Sequence, residues 1–302
     1  MRTSPWVQPI KNELPCRHPA GSAHYFSLKM PAPTFKKLSS LVCLAGLVCA
    51  APVSPAADVA NPPAVTPLAA ISTNTSAGTV TAVNTALIPT PRDFPTNWLA
   101  RHAEYVARAK AGNVDILFIG DSITDGWRWG NGGKNLWASN FEPRHAANFG
   151  IGYDRIQNVL WRIENGELDG LSPRAIILLI GTNNSGNEDD GSPRNLTPEI
   201  IAGVSNLVRR IEFHQPGAKI ILFGIFPRGK ASDPIREQVK AVNAGLAQLA
   251  GDRVRFLDIG EKFLSPDGTL PRTMFPDLLH PNASGYQIWA DAINPALAEI
   301  LK

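Results

Sequence analysis

No cysteine follows Cys49. The chain has 302 residues, and its three cysteines, Cys16, Cys43 and Cys49, all precede residue 50. Disulfides, a cysteine-ligated zinc and a cysteine nucleophile are thereby excluded from the rest of the chain. A surplus of charge is missing as well. The formal +3 arises in residues 1–92, which hold seven Lys/Arg against two Asp/Glu and leave 22 against 24 in residues 93–302. A body so close to neutral lacks the electrostatic motive for binding nucleic acid. No apolar run reaches the roughly 20 residues that span a bilayer, so a stable membrane span is not expected. No zinc-type His/Glu spacing occurs, and the Gly-x-Ser-x-Gly elbow of the α/β-hydrolases is absent. What is present is an ordinary globular composition, 44% hydrophobic and 18% charged, with chain enough for a sizeable core.

Residues 1–56 read as a leader. Met30 opens a short basic stretch ending in Lys36-Lys37, Leu38–Ala51 is almost wholly apolar, and Ser54-Pro55-Ala56 supplies small residues before Ala57. That is the pattern of a secretory signal, with translation read as starting at Met30 and export to the periplasm or the exterior. In residues 57–92, Ala, Pro, Thr and Ser make up 22 of 36 positions and Asp58 and Arg92 are the only charges. Such a stretch has little bulky surface to offset its ordering entropy and is expected to be a disordered linker. The folded unit is then residues 93–302.

Within it, short apolar runs alternate with amphipathic ones. Strands are expected at Asp115–Gly120, Ala147–Gly150, Ala175–Ile180, Lys219–Phe226 and Val254–Ile259. Runs such as Ile176–Ile180 are apolar on both faces, as in a parallel strand covered by helices. Between them Ile156, Val159, Leu160 and Ile163 repeat at helical spacing, as do Ile201, Val204, Val208 and Ile211, and then Ile235, Val239, Val242, Leu246 and Leu249. A helix over Ala103–Lys110 precedes the first strand, and a last one starts near Ala283–Ser284. The alternation predicts one α/β domain with a five-stranded parallel sheet, whose working residues lie beyond the carboxyl ends of strands.

Three of those ends carry chemistry. The first strand runs into Gly120-Asp121-Ser122, where a strand-to-helix turn exposes a serine hydroxyl; alone, the segment is as well explained as a turn. The third ends in Gly181-Thr182-Asn183-Asn184, whose amide can donate to an oxyanion or satisfy loop backbone. Near the carboxyl terminus, Asp277 and His280 stand three residues apart. Of six histidines, His18 and His24 precede the domain, His102 and His214 fall on helices and His145 lacks a neighbouring Asp, so His280 has the apt partner. Glu188, Asp189 and Asp190 read as a solvated acidic loop rather than a cation site.

The order Ser, Asn, Asp-x-x-His resembles the SGNH (GDSL-type) hydrolase family, and within it the catalytic subunits of the intracellular platelet-activating-factor acetylhydrolases. The likeness extends from Asn97-Trp98 to Gly285-Tyr286, through Asn148-Phe149-Gly150-Ile151-Gly152, Val159-Leu160-Trp161-Arg162, Asn165-Gly166-Glu167-Leu168 and Pro227-Arg228-Gly229. It implies a three-layer α/β/α sandwich of the flavodoxin-like kind. It implies Ser122 as nucleophile, His280 as general base and Asp277 as its orienting carboxylate. Asn183 and the main-chain N–H groups of Ser122 and Tyr153 would form the oxyanion hole, with Gly120, Asp121, Gly152 and Asp154 supporting. Tyr153 departs from the pattern, since the family has glycine there; its N–H remains, while the backbone conformation and the room at the site mouth are in question. The resemblance further implies a cofactor-free serine esterase acting on short-chain esters, acetyl above all. Export favours O-acetylated glycans or small-molecule esters. A lysophospholipase or thioesterase with a longer acyl pocket, an exported non-catalytic module of the same fold, and a homodimer stay open.

Overall fold

The structure is a computed structural model and describes residues 83–93 and 97–302. The leader, the three cysteines and residues 57–82 of the expected linker lie outside the described residues.

Five parallel strands form one sheet: β1 (Ile116–Gly120), β2 (Ala146–Gly150), β3 (Ala175–Leu179), β4 (Lys219–Phe223) and β5 (Val254–Leu257), in the order β2-β1-β3-β4-β5. Among the described residues seven α-helices accompany them: α1 (Trp98–Lys110), α2 (Ser122–Asp125), α3 (Lys134–Asn140), α4 (Ile156–Arg162), α5 (Thr197–His214), α6 (Pro234–Leu246) and α7 (Ala283–Ile300). Successive side chains of a strand point to opposite faces, and the apolar runs use both. Leu117, Ile119, Ile176, Leu178, Ile220 and Leu222 pack under α1, α4, α5 and α6. Ile116, Phe118, Ile177, Leu179, Ile221 and Phe223 pack under α7 and the aromatic cluster of Trp127, Phe141 and Trp289. The three-layer sandwich is as expected.

The strands end earlier than their hydrophobic runs suggest. Ile225 and Phe226 remain buried after β4 has left the ladder, and Asn243 Oδ1 accepts the Ile225 N–H in place of a neighbouring strand. Burial continued where pairing did not.

The domain boundary at residue 93 needs correction. Residues 83–92 lie on the domain as a strap. Thr85–Leu87 form a short 3-10 turn capped by Asn84, and Ala86 is fully buried against Gly203 of α5, where an added Cβ would come within 2.8 Å of its own. Asn195 donates to Thr85 Oγ1 (3.0 Å) and Asn158 to the Thr90 carbonyl (2.9 Å), while the Thr90 N–H reaches the Gln157 carbonyl (3.0 Å). A stretch of small residues holds because its backbone and side-chain polar groups find partners on the domain, a factor composition does not register.

Candidate active site

In a sheet of this order the crevice opens at the carboxyl ends around β1, where the strand order reverses. Ser122 follows β1, Tyr153 follows β2, Asn183 follows β3, and the loop before α7 brings Asp277 and His280 to the same end. Gly120 makes the first turn possible: a Cβ there would lie 2.2 Å from Thr124 Oγ1 and 2.3 Å from the Leu179 carbonyl oxygen. Asp121 caps α2 by accepting the Ile123 N–H at 2.9 Å, which fixes Ser122 at the first helical position.

Ser122 is only 9% exposed, so its hydroxyl is less open than the turn alone suggests. It lies 2.8 Å from His280 Nε2, and His280 Nδ1 lies 2.6 Å from Asp277 Oδ2. The other carboxylate oxygen, Asp277 Oδ1, accepts the N–H groups of Leu279 (3.0 Å) and His280 (2.8 Å). Leu278, at φ 61°, takes the left-handed conformation that folds Asp and His onto each other. Burial acts to raise the Asp277 carboxyl, but the bonds from the His280 ring and these two N–H groups outweigh it and hold it below the usual range. Asp277 thus stays ionised and fixes the imidazole with Nε2 toward Ser122.

His145 is not without a carboxylate, since Asp115 Oδ2 stands 2.9 Å from its Nδ1. The pair precedes β2 and β1, at the amino end of the sheet and away from Ser122. His102 Nδ1 likewise lies 3.5 Å from Glu167. Distance from the serine, rather than possession of an acid partner, distinguishes His280.

The oxyanion candidates converge on the same crevice. A Cβ on Gly152 would meet Ser122 Cβ at 3.8 Å, an ordinary contact, so the loop passes the serine closely with room to spare. Tyr153 sits at φ 65°, the left-handed region in which glycine is at ease; the residue is 63% exposed, with the Arg92 guanidinium 5.9 Å from the ring centre. Asn183 Nδ2 donates to the Asp154 carbonyl at 2.9 Å, which ties the amide to the Asp154–Arg155 peptide of the loop that carries Tyr153.

A buried charged cluster, which periodicity and spacing do not announce, holds this loop. Arg162 is fully buried, its Nε 3.0 Å from Asp154 and its Nη1 2.8 Å from Glu167, and it donates to the Phe149 carbonyl at 2.9 Å. Helical periodicity treats position 162 as solvent-facing. Its partner is delivered by a kink at Asn165–Gly166, where Gly166 (φ 88°) turns Glu167 back inward. Asp154 also accepts the Trp98 indole N–H (2.7 Å) and, from the strap, Arg92 (3.4 Å). Glu188, expected to be solvated, is gripped by both ends of the Arg155 fork at 2.6 and 2.9 Å.

Burial raises the fully enclosed Asp121 carboxyl to about 7, against the pull of the Ile123 N–H. Between the ordinary carboxylate range and that value the folded chain keeps a proton that the unfolded chain has released. Asp121 therefore contributes stability below pH 4 that is lost as pH rises to about 7. Asp121→Asn should flatten this decline, with the difference from the parent changing by on the order of 3 kcal/mol between pH 4 and pH 8. Denaturant melts at the two pH values measure it; parallel pH profiles for the two proteins would refute the assignment.

Among the described residues no group of three His, Cys, Asp or Glu is placed to hold a metal ion, and no helix is long and apolar enough to cross a membrane.

Residues 118–288 match the GDSL-like Lipase/Acylhydrolase family. Over 223 residues the chain is 34% identical to platelet-activating factor acetylhydrolase IB subunit alpha1 of Homo sapiens, covering 72% of this chain and 91% of that one. It is also 34% identical over 209 residues to the alpha2 subunit of Mus musculus, covering 68% and 85%. A solved structure from Bacteroides fragilis described as an acylhydrolase superposes with a TM-score of 0.55 at 21% identity, covering 68% of this chain and 97% of that one. An acetyl xylan esterase gives 0.50 at 20% identity, covering 60% and 98%. These two structural likenesses bear on the fold.

Proposed function

Because the chain belongs to the GDSL-like lipase/acylhydrolase family and is an ester-bond hydrolase, we propose that it cleaves short-chain esters, acetyl above all, through an acyl-enzyme on Ser122. The observation that carries this reading is the unbroken relay from Ser122 Oγ through His280 to Asp277, at 2.8 and 2.6 Å. His280 Nε2 takes the serine proton as Oγ bonds to the ester carbonyl carbon. The tetrahedral oxyanion is met by the N–H groups of Ser122 and Tyr153 and the Asn183 amide. His280 then gives its proton to the departing alkoxide. Water repeats the sequence on the acyl-enzyme, releasing the acid and restoring Ser122. Asp277 holds the ring and offsets its charge while it carries the proton.

The acetyl preference is supported by the relatives named acetylhydrolases and by the Tyr153 ring at the mouth, which we assign as a wall limiting the acyl chain. The leader pattern supports export, and with it a substrate met outside the cytoplasm, a small-molecule ester or an acetylated glycan.

A p-nitrophenyl ester series tests both points. Rates should peak at acetate and fall about tenfold or more by hexanoate. Tyr153→Gly keeps the N–H and suits the left-handed backbone, so turnover on acetate should stay within about tenfold, since a lost donor would cost 10²–10³. The butyrate-to-acetate ratio should rise. An unchanged ratio would remove the ring from the acyl side, and a parent rate rising steadily to octanoate would favour the longer-chain reading.

A further inference from the structure

Beside the oxyanion loop lies a cavity of about 330 Å³ whose walls include Arg92, Arg155, Arg194, Tyr153 and Asn183, and no carboxylate lines it. The charges around it do not cancel. Arg92 shares Asp154 with Arg162, and Arg162 is also matched by Glu167, so that set of four is neutral. Arg155 and Arg194, by contrast, have Glu188 alone between them. Arg155 holds it in both hydrogen bonds of its fork, and Arg194 Nε stands 3.3 Å away, buried and without an acceptor in hydrogen-bonding geometry. Arg228 lies near enough to Arg194 for the two to repel, and it also feels the charge of the buried Asp121. It donates to the Thr182 carbonyl at 2.9 Å, next to Asn183, and makes no ion pair among the described residues. Arg155 and Arg194 thus share one carboxylate, and with Arg228 beside them the charge is positive on the side of the crevice where Asn183 and Tyr153 stand.

We propose that this cavity is a subsite for an anionic group, a carboxylate or a phosphate, carried by the ester substrate close to its acyl linkage. The proposal rests on the ester-hydrolase reading and adds the substrate's charge to it. Guanidinium forks suit both anions in geometry, and cations grouped in a recess attract them from a distance. The volume falls at the lower end of what small ligands occupy, enough for one sugar ring or a phosphate. Because Asn183 and Tyr153 line the cavity and are also the oxyanion candidates, an anion held there would lie beside the ester under attack. An acidic sugar bearing an acetyl group and an acetylated alkyl phosphate both meet this requirement.

The test compares esters that differ only in charge, using the full chain. One pair is an O-acetylated methyl glucuronoside and its methyl ester; the other is acetylglycerol phosphate and acetylglycerol. At low ionic strength kcat/KM should be about tenfold higher for the anionic member of at least one pair, and the pair that responds identifies carboxylate or phosphate as the source. The advantage should shrink as salt is raised, and Arg194→Gln should bring the ratio toward one. A parent ratio at or below one in both pairs, with both neutral esters hydrolysed, overturns the subsite and leaves the esterase reading intact. Failure to hydrolyse any of the four overturns both. The parent's ratio and its salt dependence decide the matter even if the variant does not fold.

Discussion

Replacing Ser122 by alanine should lower ester turnover by about 10⁴-fold or more, to the residual level that an oxyanion hole and binding alone sustain. His280→Ala should do much the same, because without Nε2 at 2.8 Å the hydroxyl keeps its proton. The double variant should be little worse than either, since the members of such a relay act as a unit. A fluorophosphonate probe should label the parent and not Ser122→Ala. Melting temperatures should barely move, as each substitution removes one polar group from a crevice rather than from the core. Multiplicative losses in the double variant, or labelling that survives Ser122→Ala, would place the nucleophile elsewhere.

The largest effect on stability is expected at Arg162. Arg162→Met keeps much of the side chain's volume but leaves Glu167 and Asp154 buried, with Arg92 the one full cation beside the latter and the Trp98 N–H its hydrogen-bond donor. Breaking a buried ion cluster by removing one partner costs about 3–5 kcal/mol, whereas replacing the whole cluster by neutral groups is often harmless. For a domain of this size that corresponds to a drop in Tm of roughly 10 °C. Turnover should fall too, because the Arg162 guanidinium bonds the end of β2 and the loop that carries Tyr153. Adding Asp154→Asn and Glu167→Gln should recover most of the lost stability. If the single variant melts with the parent, the cluster is not what holds the loop.

The sheet was legible in the sequence because parallel strands covered on both faces leave continuous apolar runs, and Ile176–Ile180 is such a run. The relay was legible for a different reason. Asp277 and His280 are near neighbours in the chain, and Ser122 follows a strand directly. Arg162 could not be seen in this way, because its partners come from the ends of β1 and β2, the loop after β2 and a kink five residues on. Only the kink has a local mark, in Asn165-Gly166. The strap was hidden by composition: Ala86 reads as linker, and its burial depends on Gly203 more than a hundred residues later. Tyr153 posed the opposite difficulty. Its identity argued against the left-handed turn that glycine favours, and the loop, held through Asp154 by Trp98, Arg92 and Arg162, imposes that turn nonetheless.

The crevice is closed from both ends of the domain. Arg92 enters from the strap that precedes every strand, whereas His280 belongs to the final loop, and the Tyr286 hydroxyl of α7 ties that end to the nucleophile turn by donating to the Ile123 carbonyl at 2.6 Å. Ser122 and His280 are 158 residues apart in sequence. On the ribosome, at about 5–20 residues per second, the serine would precede its base by roughly 8–30 s. On the proposed mechanism the nascent polypeptide would be hydrolytically silent for that interval, however well its first strands have formed. Under the proposed export, a chain translocated unfolded would stay silent until the loop before its last helix reached the far side.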